Sequence, residues 1–214
     1  MKSLSPFYNT FEVAIKNCWP MLALFIVIIT VLRITKIIIN HEEFIFHKEF
    51  FRLLAVLYFL LLYYMLLTTE GASSGFNIIP FKEMTRYTIG SKSFFYNVIG
   101  NIVLFIPFGF ITSWYLKSKK TFQNVLITTI ISLTAECIQF YIGRAFDIDD
   151  IILNVLGSIV GFIIYVFAET IEKHLPKFLR NNIFYNIIAI IVFILIILLF
   201  GSIWGIRIWT MIIQ

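Results

Sequence analysis

ECIQFYIGRAFDIDDIILNVLGSIVG, residues 136–161, is the stretch of sequence that decides the fold, because it places carboxylates, amides and one Arg inside an otherwise apolar chain. At the helical spacing of about 100° per residue, its polar and small residues form two stripes, one on each of two consecutive helices. The stripes consist of Ser132, Glu136, Gln139 and Gly143, and of Asp150, Asn154, Gly157 and Gly161. A short turn, 144–149, joins the helices, so their polar ends are expected to meet at one membrane surface.

The composition around this stretch is that of an integral membrane protein. The 214 residues are 60% hydrophobic and 14% charged, and the mean hydropathy is +0.92, whereas soluble domains have about 25% charged residues. A membrane span needs about 20 apolar residues. The sequence therefore predicts an all-α fold, a polytopic transmembrane helix bundle of five to six spans. The predicted spans cover 19–39, 50–68, 94–116, 122–142, 150–167 and 183–206.

Three regions follow from this pattern. Residues 1–56 hold the first span and the start of the second, 57–167 form a central membrane domain, and 168–214 form a charged connection and the C-terminal span. The net charge of +5 indicates no nucleic-acid partner, because Lys and Arg in short loops set topology and contact anionic lipids. Membrane lipids are the expected partners.

The orientation of the spans is predicted from Lys and Arg, which are more numerous in the loops of one side. That side is expected to be cytoplasmic. The loop 69–92 and the turn 144–150 then both lie on the extracytoplasmic face, and the loop is expected to lie on or dip into the membrane surface.

Glu136 is the candidate that most needs an explanation, since an ionisable group inside a span is costly. In the functional interpretation it acts as a base or binds a ligand, with Gln139 beside it. In the structural interpretation it pairs with Arg144, or with Asn97 and Asn101, and only joins helices.

The acidic turn supports several alternatives. Asp147, Asp149 and Asp150 could cap helix donors and complement the helix dipole. They could also hold Mg²⁺ with a substrate phosphate; no other cofactor is evident. Arg144 has the planar fork that matches a phosphate or carboxylate group. Gly157 and Gly161 favour close helix packing.

These residues together resemble the VanZ-like family of bacterial membrane proteins, named for a teicoplanin-resistance protein. The similar region covers 57–167. Its marks are the segment Asn77-Ile78-Ile79-Pro80-Phe81, the residues Asn97 and Asn101 before Leu104-Phe105-Ile106-Pro107-Phe108-Gly109, the pair Glu136 and Gln139, the pair Arg144 and Asp147, and Asp150, Asn154, Gly157 and Gly161.

The resemblance implies a multi-pass protein of the bacterial cytoplasmic membrane, in a family linked to glycopeptide tolerance. The first hypothesis is an outward-facing polar pocket that engages a lipid-linked cell-wall precursor or a peptidoglycan-related ligand. If the protein is an enzyme, Glu136 or Asp147 would be the base. The ligand-binding candidates are Asn97, Asn101, Gln139, Arg144, Asp150 and Asn154. The alternatives are a non-catalytic scaffold, in which the polar residues serve helix packing, and a small transporter, which the absence of an inverted repeat disfavours.

Overall fold

The part of the chain that the structure describes contains six long helices, and each includes all or nearly all of one predicted span. The computed structural model describes the backbone of residues 5–68 and 75–213 and the side chains of 17–67 and 75–198, so part of the predicted loop, 69–74, lies outside the described residues. The helices are α1 (Ser5–Asn40), α2 (Phe46–Thr68), α3 (Lys92–Leu116), α4 (Thr121–Tyr141), α5 (Ile148–His174) and α6 (Asn182–Ile213).

Five helices, α1 to α5, contain stretches that are long and apolar enough to cross a membrane. In α6 the described side chains form a shorter apolar stretch, Asn182–Leu198. The helical fold class is therefore confirmed. Two strands of two residues each, β1 (Phe76–Asn77) and β2 (Phe146–Asp147), are the addition that the sequence did not indicate.

The ends of the helices near the turn have local causes. The Ser91 hydroxyl accepts a hydrogen bond from the Phe94 backbone N–H and so caps the start of α3. After α4, Gly143 has a φ of 91°, which glycine adopts without steric cost. Asp149 and Asp150 occupy the first turn of α5, and Lys173 and His174 the last, as the helix dipole favours.

The extent of α5 corrects one boundary. The predicted span ended at 167, before a charged connection, whereas the helix continues to His174. A span ends where its side chains become polar, but a helix does not, because charged side chains at its end are solvated and its backbone hydrogen bonds are internal.

Two compact units divide the chain. Unit 1 comprises Met1–Ile26 and Ala55–Ile171, and its apolar core contains Leu62, Phe105 and Phe108. The Tyr58 hydroxyl donates to the Leu104 carbonyl oxygen at 2.6 Å, which fixes α2 against α3.

Unit 2 comprises Val27–Leu54 and Glu172–Gln214. Arg33 of α1 donates to both carboxylate oxygens of Glu49 in α2, at 2.8 and 2.9 Å. Arg33 also lies 2.7 Å from Glu42. The backbone N–H and ring Nδ1 of His47 contact the Asn186 amide oxygen at 2.9 and 2.8 Å. Polar side chains thus join the helices of unit 2.

Candidate functional site

A short parallel strand pair brings two distant connections of unit 1 together. Phe76 pairs with Phe146, and Asn77 pairs with Asp147. The Phe146 backbone N–H also donates to the Gly75 carbonyl oxygen at 3.0 Å. The loop before α3 and the turn between α4 and α5 therefore lie at the same end of the helices, as predicted.

Asp149 holds the loop against this turn. Its carboxylate is 1% exposed, and its two oxygens accept three backbone N–H groups, from Phe81 at 2.5 Å, Glu83 at 2.8 Å and Met84 at 3.1 Å. Buried backbone donors need partners, and a carboxylate is a strong one. Asp149 therefore orders the loop rather than facing a ligand.

Asp147 connects the loop to α4. Its Oδ1 accepts from the Asn77 side-chain amide at 2.8 Å and from the Asp149 backbone N–H at 2.9 Å. Its own backbone N–H donates to Glu136 Oε2 at 2.9 Å. Burial raises the pKa of the Asp147 carboxyl, against the lowering effect of these two accepted hydrogen bonds, and the negative charges of Asp149 and Glu83 raise it further.

Asn101 of α3 and Asp150 of α5 form the third connection. The Asn101 amide nitrogen donates to Asp150 Oδ1 at 2.6 Å. Tyr87, in the loop, interacts electrostatically with the carboxyl groups of Asp150, Asp147 and Glu83. Burial, followed by these negative charges, raises the pKa of its phenol. Tyr87 thus lies in the electrostatic field of these carboxylates, which the sequence had not indicated.

Gln139 and Arg144 reach the same backbone atom. The Gln139 amide nitrogen donates to the Leu66 carbonyl oxygen at 2.7 Å, and Arg144 Nη1 donates to it at 2.9 Å. This oxygen belongs to the last turn of α2, where helix carbonyls lack partners within the helix. The guanidinium also interacts electrostatically with Glu136 and Asp150. Arg144 therefore acts as a counter-ion inside the site.

Asn154 lies one turn after Asp150 on α5. Its amide nitrogen donates to the Ser132 hydroxyl at 2.8 Å. Two amide oxygens in this region, Asn154 Oδ1 and Gln139 Oε1, are buried without a hydrogen-bond partner. We refer to the side chains assembled here as the turn cluster; its members are Asn101, Glu136, Gln139, Arg144, Asp147, Asp150 and Asn154.

Asn97 does not join the turn cluster through its amide nitrogen, which donates to the Ser93 carbonyl oxygen of its own helix at 3.0 Å. The residue lies in a π-helical segment, Phe95–Ile99, inserted between the α-helical parts Lys92–Phe94 and Gly100–Leu116 of α3. A π turn is wider than an α turn and changes the angle between successive side chains. Asn97 and Asn101 therefore have different partners, although both were predicted as ligand-binding residues of one pocket.

Three glycines form a seam between α3 and α5. A Cβ added to Gly157 would lie 2.1 Å from the Ile102 carbonyl oxygen. At Gly109 and Gly161 the corresponding distances are 2.0 Å, to the carbonyl oxygens of Ser158 and Ile106. The two backbones touch here, which confirms the packing role predicted for Gly157 and Gly161.

A second polar cluster joins the same helices further along. The Asn124 amide nitrogen lies 3.0 Å from the Gly109 carbonyl oxygen and 2.9 Å from the Ser113 hydroxyl. Ser158 donates to the Asn124 amide oxygen, and Thr128 lies 2.6 Å from Ser158. We call these residues the Asn124 cluster. A sequence signal existed, because polar residues at 124, 128, 132 and 136 recur at the four-residue spacing of one helix face.

The possible Mg²⁺ site at Asp147, Asp149 and Asp150 has no geometric support. Across the described residues, no three His, Cys, Asp or Glu side chains are arranged so that they could hold a metal ion together. Both oxygens of Asp149 accept backbone N–H groups, so Asp149 has little capacity left as a ligand beside Asp147 and Asp150.

Comparisons with known proteins show a family to which the region around the turn cluster is similar. Residues 50–172 match the family VanZ/LLP1. Protein VanZ of Enterococcus faecium is 32% identical over 100 residues, which are 45% of this chain and 60% of that protein. No solved structure is significantly similar. The residues that match the family, 50–172, include every member of the turn cluster.

Proposed function

The chain belongs to the VanZ/LLP1 family, and from that premise we propose that its turn cluster binds the polar part of a lipid-linked or peptidoglycan-related component of the bacterial cell envelope. The protein spans a membrane several times. We place it in the cytoplasmic membrane of a bacterium, with the turn cluster on the extracytoplasmic side. A contribution to teicoplanin tolerance would follow from altering the surface that the drug meets.

The observation that carries this proposal is the contrast between the two polar clusters of unit 1. The Asn124 cluster contains no ionisable side chain, and Asn124 bonds through both atoms of its amide. Such a cluster is sufficient for helix packing. The turn cluster instead contains three carboxyl groups and one guanidinium, and two of its buried amide oxygens lack partners. Packing alone does not require this charge, which is costly inside a membrane.

The position of the turn cluster also supports binding. It lies where α4 ends and α5 begins, and a loop held by Asp149 and by the strand pair covers this end. Residues fixed by a rigid scaffold and placed beside a loop are a common basis for binding sites. The prediction that Glu136 or Asp147 acts as a base is separate from the binding proposal and stays a prediction.

The test is complementation of a deletion strain with two isosteric variants, Glu136→Gln and Asp150→Asn. Each removes one negative charge and keeps the shape of the side chain. The exposed Glu43→Gln is the matched control, because it makes the same change far along the chain from the turn cluster. Teicoplanin susceptibility, the lipid extract and the membrane abundance of each variant are measured.

We expect both cluster variants to reach normal abundance and to lose tolerance, with a lipid extract like that of the deletion strain. Glu43→Gln should behave like the parent. Full tolerance of Glu136→Gln and Asp150→Asn would contradict the proposal. Loss of the protein itself from the membrane, in both variants, would instead favour the scaffold alternative.

A further inference from the structure

We infer that the group recognised by the turn cluster is a primary ammonium, the –NH₃⁺ of a lipid headgroup or of a soluble amine; this inference rests on the proposed function. The turn cluster offers hydrogen-bond acceptors and negative charge. An ammonium group carries one positive charge and three N–H donors, and it accepts no hydrogen bond. The inference rests on this complementarity between the acceptors and negative charge of the turn cluster and the donors and positive charge of an ammonium group.

The unpartnered acceptors are the first step. Gln139 Oε1 and Asn154 Oδ1 have no hydrogen-bond partner, and their side chains belong to residues that are 4% and 2% exposed. Buried polar atoms in native proteins are nearly always bonded, to protein or to bound molecules. Two such atoms in one polar region therefore point to a ligand that donates.

Both oxygens belong to the same region as the charges. The Gln139 amide and the Arg144 guanidinium donate to one carbonyl oxygen, that of Leu66. Asn154 follows Asp150 by four residues on α5, so the two side chains lie on one face of the helix. The unpartnered acceptors and the carboxylates of Glu136 and Asp150 thus belong to the polar residues that α4 and α5 contribute to the turn cluster.

The charge balance is the second step. Glu136, Asp147 and Asp150 are acidic, and the cation that interacts with Glu136 and Asp150 is Arg144. Arg144 already donates to the Leu66 carbonyl oxygen. Its guanidinium therefore offsets part of the negative charge of the turn cluster from within the protein. A phosphate would bring further negative charge to these carboxylates, and its oxygens could not satisfy two amide oxygens. A cation with N–H donors satisfies both requirements.

The experiment uses the purified full-length protein in detergent and measures lipid binding by native mass spectrometry. The lipid probes are phosphatidylethanolamine and phosphatidylcholine with identical acyl chains. Both carry phosphate and a positive nitrogen, but only ethanolamine has N–H donors. In the soluble arm, D-glucosamine is compared with N-acetyl-D-glucosamine, which lacks the ammonium, by the shift in melting temperature.

We expect at least about a tenfold preference for the ammonium-bearing member of one pair, since hydrogen bonds between charged groups are the strong ones. The pair that shows the preference identifies the source, lipid or soluble. Asp150→Asn and Glu136→Gln should reduce the preference to near unity, and Glu43→Gln should keep it. Equal binding within both pairs would overturn the inference. So would an unchanged preference in both cluster variants.

The two proposals fail separately. If no ammonium preference exists but Asp150→Asn still abolishes tolerance in cells, this inference is wrong and the proposed function stands. If the preference is found and depends on Asp150, but the deletion strain keeps full tolerance and an unchanged lipid extract, the inference stands and the proposed function is wrong.

Discussion

Replacing Gly157 by Ala should separate α3 from α5 and break a hydrogen bond of the turn cluster, although Gly157 is not one of its members. The added Cβ would lie 2.1 Å from the Ile102 carbonyl oxygen, whereas ordinary contact begins at 3.4 Å, about 1.3 Å farther. The obstructing atom is backbone, so it cannot rotate away as a side chain would. The helices must move apart, and overpacking of this kind typically costs about 1–3 kcal/mol.

A displacement of α3 at Ile102 also moves Asn101, the preceding residue, which belongs to the turn cluster. The hydrogen bond from Asn101 to Asp150 is 2.6 Å long. If α3 shifted by the full amount, the bond would exceed the limit of about 3.5 Å beyond which no hydrogen bond remains. Gly157→Ala should therefore lose both stability and ligand binding, although Gly157 is not a member of the turn cluster.

The assay is unfolding of the purified protein by titration with sodium dodecyl sulfate, followed by tryptophan fluorescence, together with the complementation test. Gly75→Ala is the matched control, because its added Cβ would make an ordinary contact of 3.7 Å with Ala145. The control should unfold like the parent. If Gly157→Ala unfolds at the parental midpoint and complements fully, the reasoning from the helix seam is wrong.

Three further predictions concern the loop and the turn. Asp149→Asn should speed tryptic cleavage at Lys82, because an amide cannot accept from all three backbone donors, and leaving such groups unsatisfied costs about 1–3 kcal/mol; a rate equal to that of Glu43→Gln would contradict this. Burial raises the pKa of the Asp147 carboxyl above its ordinary value of 3.8. The stability that protonated Asp147 contributes should therefore be fully present below pH 3.8 and be lost as the pH rises through the folded-state pKa. Asp147→Asn should remove this part of the pH dependence of unfolding, and an unchanged pH profile would refute the raised pKa of Asp147. In a Cys18→Ala, Cys137→Ser background, an impermeant thiol reagent added to intact cells should label Ile89→Cys and Ala145→Cys but not Lys120→Cys, and the reverse pattern would invert the proposed orientation.

The helices and their small-residue face could be predicted because they depend on local periodicity. The apolar runs set the spans. The four-residue spacing of Gly157 and Gly161 marks a small-residue face of α5, and this face can be recognised without knowing which helix packs against it. Glu136 and Gln139 fall on one helical stripe in the sequence, and both residues are buried. Each of these inferences rests on one helix at a time.

The connections around the turn depend on contacts across long stretches of sequence, so they could not be predicted in detail. Asp149 was expected to cap its own helix or to help hold Mg²⁺, but its partners lie 65 to 68 residues earlier in the chain. The Leu66 carbonyl oxygen is a backbone atom with no sequence signature, and yet Arg144 donates to it rather than standing ready for an anion. The role of Asp149 becomes visible only once the loop is placed.

The π-helical segment of α3 has a consequence for how related chains should be aligned. A π turn within an α-helix is equivalent to one inserted residue, so everything after Phe95–Ile99 is rotated by about 100° relative to a regular helix. Deleting one residue from this segment would restore the regular repeat and turn Asn101 and Gly109 together away from α5. A relative that aligns with a one-residue gap here should therefore carry neither the Asn101 to Asp150 bond nor a glycine requirement at position 109.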